Sequence, residues 1–191
     1  SNITDEVRQS ARHPFWNRAL QSTLPPGSTF KIITAAAALQ NLPDAQTHVF
    51  TCTGATEVLD QVIHDYGRAQ HGEVTLQSAF RVSCNNAFAQ AALIMGDTAL
   101  RRTAEAFGFN DNFLFRDLVV ENSSYPTQNR NNVEIAWSGA GQSQVAATPL
   151  HMCMVAAAVA NDGVMMEPRL LLRVEGETGA VRLRYTQKVY R

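Results

Sequence analysis

The apolar positions of this chain fall into long helical runs separated by short alternating stretches. The densest run starts after Pro25-Pro26-Gly27 and reads Ser28-Thr29-Phe30-Lys31-Ile32-Ile33-Thr34-Ala35-Ala36-Ala37-Ala38-Leu39, strong or apolar helix formers with no polar face. That pattern predicts a helix over residues 28–40, surrounded by protein on all sides, stopping near Asn41 with Pro43 barring continuation. Further helices are predicted over 74–80, capped by Thr75; over 87–95, ended by Gly96; and from Asp97 as cap to about Phe107, closed by Gly108. A long apolar helix follows Thr148 as N-cap and Pro149 as first helical residue, and ends at Asn161-Asp162-Gly163. Residues 47–66 alternate like short strands and suggest a small extended excursion on the surface, and residues 168–186 read as a β-hairpin turning at 175–179. Residues 3–22 show no clear period and predict a short helix or irregular arm laying Phe15 and Trp16 against the central helix. Residues 111–132 and the stretch around Gly139 and Gly141 read as loops.

Composition narrows the partners. The 191 residues carry a net charge of −1 with scattered arginines, so no basic field exists to attract nucleic acid. The longest apolar stretch, residues 150–160, contains His151 and is too short to span a bilayer. Three cysteines (Cys52, Cys84, Cys153) form no C-x-x-C pair and look too few and too dispersed for a metal site, and five histidines (His13, His48, His64, His71, His151) lack ligand spacing. Neither a metal nor a cofactor is expected.

One charge changes the picture. Of 16 basic residues only two, Lys31 and Lys188, are lysines, and Lys31 sits at the positive end of the apolar helix where a cation is disfavoured. Burial among Phe30, Ile32 and Ile33 should favour the neutral amine, which arginine cannot provide. Ser28 lies one turn away on the same face. A neutral lysine beside a serine hydroxyl is a general base beside a nucleophile. The plainer role for Ser28 is a helix N-cap. A third polar group is needed to hold the lysine and carry protons to a leaving amine. Ser83-Cys84-Asn85, in a tight loop between two helices, can present a hydroxyl and a carboxamide to one cleft with Cys84 turned inward.

Pro-Pro-Gly-Ser28-Thr-Phe-Lys31 and, 55 residues on, Ser83-Cys84-Asn85 together resemble the transpeptidase domain of penicillin-binding proteins, closest to the class B kind. His71-Gly72-Glu73-Val74-Thr75-Leu76 and the stretches 141–150 and 160–163 agree with that family, and the resemblance covers roughly residues 14–175. It implies a D,D-transpeptidase of peptidoglycan cross-linking at the extracytoplasmic face of a bacterial cell membrane. Ser28 would attack the D-Ala-D-Ala bond of a stem peptide, Lys31 would be the base, Ser83 would relay the proton, and Asn85 would hold Lys31 and the substrate amide. β-Lactam antibiotics would acylate Ser28 as mimics of the dipeptide. The N–H of Ser28 would supply half of an oxyanion hole.

The family's third motif, Lys-Thr/Ser-Gly, has no counterpart led by lysine; the candidates are Cys52-Thr53-Gly54, Trp137-Ser138-Gly139 and Glu177-Thr178-Gly179. The expected fold is therefore mainly α with small β excursions: residues 1–191 as a single unit, the helical lobe of a transpeptidase domain with most of the central antiparallel sheet missing. On that reading the chain comes from a longer, membrane-anchored parent and is weakly active or inactive alone. A class D-like β-lactamase or β-lactam-sensing receptor domain also resembles Ser-Thr-Phe-Lys, though both usually carry an apolar residue where Asn85 stands. A non-catalytic scaffold is the remaining alternative.

Overall fold

The computed structural model describes residues 5–8, 10, 11, 13–128 and 130–191. Two short helices, α1 (Asp5–Arg8) and α2 (Arg18–Gln21), lead to a 3-10 turn over Gly27–Phe30 that runs directly into α3 (Lys31–Asn41). Strands β1 (Val49–Cys52), β2 (Ala55–Val58), β3 (Gln61–His64) and β4 (Gly72–Thr75) follow. Helices α4 (Leu76–Val82), α5 (Asn85–Met95), α6 (Asp97–Ala106), α7 (Asn132–Gly139) and α8 (Pro149–Ala160) form the bulk, and β5 (Arg173–Glu175) and β6 (Val181–Arg184) close the order.

α3 is the axis of packing. On one side Phe30, Ile33 and Ala37 join Leu100 and Ala104 of α6 and Val155 and Ala158 of α8. Phe30 meets Phe109 edge-on at 5.4 Å between ring centroids and stacks on Tyr125. Burying a phenylalanine this completely is worth about 1.5–3 kcal/mol, so the ring anchors the turn that carries Ser28. On the other side Ala38 packs with Phe50, Leu76, Phe88 and Ala91. A third face remains half-exposed: Ile32, Ala35, Ala36 and Leu39 line an apolar groove with Phe80 and Val159, so the helix is not enclosed on all sides. An alanine run has no polar stripe to mark an open face, and for that reason the sequence pattern overstates its burial.

The β pairs are small and antiparallel. β1 pairs β4 in a register from Val49 opposite Thr75 to Cys52 opposite Gly72, β2 pairs β3, and β5 pairs β6. The 47–66 stretch is more than a surface excursion, because alternation turns Phe50, Cys52 and Ile63 inward against α5 while Thr51 and His64 face solvent.

Several local expectations meet corrections. Phe15 and Trp16 are exposed, with the Trp16 indole N–H donating to Ser22 Oγ at 2.8 Å, and Leu20 instead reaches the core. Asp97 is the first residue of α6 and not its cap. Its carboxylate accepts from the Tyr125 hydroxyl at 2.8 Å and the Arg130 guanidinium at 3.2 Å. Arg130, whose side chain is 3% exposed, also donates to Ser138 Oγ and the Glu134 carbonyl, which ties the 111–130 loop onto α7. That loop tucks Phe113, Phe115, Val120 and Tyr125 into the core. Helix α7 lies between the two expected loops, over residues for which no element was predicted; a capping box between Asn131 and Glu134 starts it.

Candidate active site

Two backbone constraints fix Ser28. Gly27 has a φ of 55°, and its N–H donates to the Gly141 carbonyl at 2.9 Å. A Cβ on Gly141, which has a φ of 72°, would lie 2.1 Å from the Gly27 carbonyl oxygen, so only glycine lets the 140–142 segment come so close. Thr29 Oγ1 donates to the Pro26 carbonyl at 2.7 Å. Ser28 thus sits inside a 3-10 turn wedged against a second loop, and no side-chain capping bond is made there. The N-cap role is set aside.

Lys31, the first residue of α3, is 1% exposed. Its Nζ lies 3.3 Å from Ser28 Oγ, 2.6 Å from the Ser83 carbonyl, 3.0 Å from Ser83 Oγ and 2.7 Å from Asn85 Oδ1. Ser83 Oγ is 3.0 Å from Ser28 Oγ. The four residues picked from the sequence therefore meet at one nitrogen. Burial brings the Lys31 pKa down from 10.5 to about 8, against the raising effect of Asp65 and Cys84.

The arithmetic of donors suits a proton shuttle. A neutral amine donates two hydrogens and accepts one, so it can give to the Ser83 carbonyl and Asn85 Oδ1 and accept from Ser28. Once protonated it has three donors for the Ser83 carbonyl, Ser83 Oγ and Asn85 Oδ1.

Helix ends build the second motif. α4 stops at Ser83, a non-glycine residue in the left-handed region (φ 57°, ψ 40°), and the following N–H of Cys84 returns to the Ala79 carbonyl at 2.9 Å. That kink aims Ser83 Oγ and its carbonyl at Lys31. Cys84 is fully buried and caps α5, its Sγ accepting from the Ala87 N–H at 3.3 Å. Asn85 opens α5; its N–H donates to Asp65 Oδ1 and its Nδ2 donates to the His64 carbonyl at 3.1 Å, which orients Oδ1 toward Lys31.

A cleft of about 520 Å³ opens above Ser28, Ser83 and Asn85, walled by Tyr66, Trp137 and Gln142. Asp65, which holds Asn85 and raises the Lys31 pKa, was not singled out in the sequence; a lone aspartate in a β-rich stretch has no spacing to betray it. The cysteines are less dispersed than their numbering suggests. Cys52, Cys84, Asp65 and His71 each turn one ligand atom to a common point, all within 4.8 Å of one another, while Cys153 is exposed and apart.

Comparison with known proteins finds relatives along nearly the whole chain. A sequence model of the penicillin binding protein transpeptidase domain matches residues 1–190. The chain is 38% identical over 178 residues to the peptidoglycan D,D-transpeptidase PbpA of Mycolicibacterium smegmatis, covering 90% of this chain and 36% of that protein. It is 32% identical over 165 residues to stage V sporulation protein D of Bacillus subtilis, covering 84% of this chain and 25% of the other. Among solved structures, the ceftriaxone acyl-enzyme complex of penicillin-binding protein A from M. tuberculosis superposes with a TM-score of 0.87 at 33% identity, over 98% of this chain and 43% of that one. The D,D-transpeptidase domain of a peptidoglycan glycosyltransferase from Eggerthella lenta gives 0.87 at 31% identity, over 97% and 48%. The chain thus spans about a third of the length of the PbpA relatives it matches.

Proposed function

The chain belongs to the penicillin binding protein transpeptidase domain family, and on that premise we propose that its parent protein is a serine D,D-transpeptidase of peptidoglycan cross-linking. The observation that carries the proposal is the convergence of Ser28, Ser83 and Asn85 on the buried Lys31 amine. In the first half-reaction neutral Lys31 takes the Ser28 proton as Oγ attacks the carbonyl of the penultimate D-Ala. The tetrahedral intermediate is an oxyanion, and the Ser28 N–H would be one donor for it. Lys31 then passes a proton to Ser83, and Ser83 gives its own to the departing amine of the terminal D-Ala. An acyl ester on Ser28 remains. In the second half-reaction the amine of another stem peptide attacks that ester, and the relay runs in reverse.

A β-lactam ring presents a strained amide in the same orientation and leaves a stable acyl ester on Ser28. The substrate in this proposal, the peptidoglycan stem peptide, puts the work outside the cytoplasmic membrane. No described helix is long and apolar enough to cross a bilayer, and a membrane anchor belongs to the parent in this proposal. Asn85, held by Asp65 and the His64 carbonyl, favours transpeptidase over the class D-like lactamase or sensor alternative.

Intact-mass measurement of the parent protein after incubation with penicillin G tests the proposal. The expected result is a single adduct, lost in Ser28→Ala and in Lys31→Arg, with far-UV circular dichroism unchanged, since arginine keeps its proton. Undiminished labelling of Lys31→Arg removes lysine as the base.

A further inference from the structure

Behind the wall of the cleft lies a guanidinium that the acyl-transfer chemistry does not touch. Arg130 pairs with the Asp97 carboxylate at the start of α6 and faces four further acceptors. Its Nη1 donates to Asp97 Oδ1 at 3.2 Å and to the Tyr125 hydroxyl at 3.1 Å. Its Nη2 divides two hydrogens among the Glu134 carbonyl at 2.7 Å, Ser138 Oγ at 2.6 Å and Ser143 Oγ at 3.2 Å. The Nε atom is buried and has no partner among the described residues. An unpaired N–H in the interior costs stability, and the fork accepts that cost while facing α6, α7 and Ser143 at once.

Two routes lead from this guanidinium to Ser28. The first runs through Tyr125, whose ring stacks on Phe30 at 6.2 Å between centroids, and Phe30 closes the 3-10 turn that carries Ser28. The second runs through the end of α7. The Gly139 carbonyl accepts from Thr34 Oγ1 at 2.9 Å, one turn beyond Lys31, and the Gly141 carbonyl accepts from the Gly27 N–H just before Ser28. The 138–143 segment therefore grips the Ser28–Lys31 turn from both ends. Ser143 has a φ of 63°, a strained conformation for a residue with a side chain, and its hydroxyl is where Arg130 holds the segment. Gln142, beside it, lines the cleft.

We infer that Arg130 is a positioning residue for the acylation step: by tying Ser138 and Ser143 to one fork, it holds the end of α7 against the Ser28 turn and fixes the direction from which the serine attacks. The inference rests on the acyl-transfer reading of Ser28. Lysine would keep the charge opposite Asp97, but a single ammonium has no planar fork to span Asp97 and Ser143 together. A nucleophile displaced by about 1 Å loses as much as about a hundredfold in rate, so a fork that never meets substrate can still set the rate.

Stopped-flow acylation of the parent protein by a fluorescent penicillin separates the binding constant from the acylation rate constant, and intact mass counts the sites able to react. In Arg130→Lys the acylation rate constant should fall about ten- to a hundredfold while the binding constant stays within about threefold. The pH midpoint of the rate should stay near 8, because the contacts of Lys31 are untouched. Ser143→Ala, at an exposed residue, should lose about three- to tenfold in the same constant. Ile135→Val truncates a buried α7 side chain outside the network; it should lower Tm and leave the rate constant within about twofold. Partial unfolding reduces the number of reactive sites and not the rate constant of those that remain. Should Arg130→Lys fail to fold, Ser143→Ala decides the matter. Rate constants within about twofold of the unaltered protein in the folded network variants overturn the inference, and so does an equal fall in Ile135→Val. A normal Ser28 adduct with unmoved variants removes this inference alone, whereas absence of any adduct on the unaltered protein removes the acyl-transfer reading and this inference with it.

Discussion

At the scale of single residues the proposed chemistry turns on Lys31 losing its proton in a pocket that also holds a carboxylate. With a pKa of about 8, lowered by burial and held up by Asp65 and Cys84, the amine is neutral in about one molecule in ten at pH 7 and one in a hundred at pH 6. A base must be neutral to act, so the second-order rate of penicillin acylation by the parent should rise about tenfold from pH 6 to pH 7 and level off above about pH 8. A profile flat across that range, followed by stopped-flow fluorescence, removes Lys31 from the rate-determining proton transfer. Ser28 and Lys31 were legible in the sequence because they are three residues apart on one helical turn. Ser83 and Asn85 were legible through the resemblance of Ser83-Cys84-Asn85 to the family's second motif, since no helical spacing ties them to Lys31. The contacts of Asp65 with Asn85 and of His71 with Cys52 were not legible, because the partners lie on other elements and only the folded chain brings them together.

Among the elements, the helices capped by their own sequence were the easiest to read. Thr75 with Ser78, and Thr148 with Pro149, start α4 and α8 where cap chemistry says they should. α7 was missed because Gly139 and Gly141 suggested a loop, although Asn131-x-x-Glu134 announced its start. Those glycines serve close approach and not flexibility: a Cβ on Gly139 would lie 2.4 Å from the Phe88 carbonyl oxygen of α5. Gly141 matters most, since it lets the α7 end press on the Ser28 turn. Gly141→Ala should cost about 1–3 kcal/mol in stability and lower the acylation rate of the parent more than about tenfold, as the Ser28 turn shifts to relieve the clash. Thermal melts and labelling rates measure both. A variant with normal acylation shows that the turn does not depend on this contact.

The whole molecule is a helical body with one apolar side of its central helix uncovered. Leu39 is 55% exposed, Val159 57% and Phe80 45%, grouped around the Ile32–Ala36 face of α3. Apolar ground of this kind promotes association in water. The 191-residue chain should therefore sediment as a concentration-dependent mixture, and Leu39→Asp with Val159→Asp should shift it toward monomer while leaving its helical circular dichroism intact. Purely monomeric sedimentation of the unaltered chain at high concentration shows that the groove is innocuous.

The left-handed backbone at Ser83 sets stability selection against catalysis. A non-glycine residue there costs about 1–2 kcal/mol relative to ordinary helical geometry, and helix ends of this shape favour glycine. Ser83→Gly and Ser83→Ala both delete the hydroxyl proposed as relay, so comparing the two isolates the backbone: the glycine variant should be more stable by about 1 kcal/mol, or about 2–4 °C in Tm. Equal melting points mean that the turn is unstrained. If the difference is found, a thermal-shift screen of this protein's variants would enrich glycine at position 83 and so retain the better-folded chains that have lost the proposed proton relay. Libraries built to stabilise this domain would need a labelling step beside the melt.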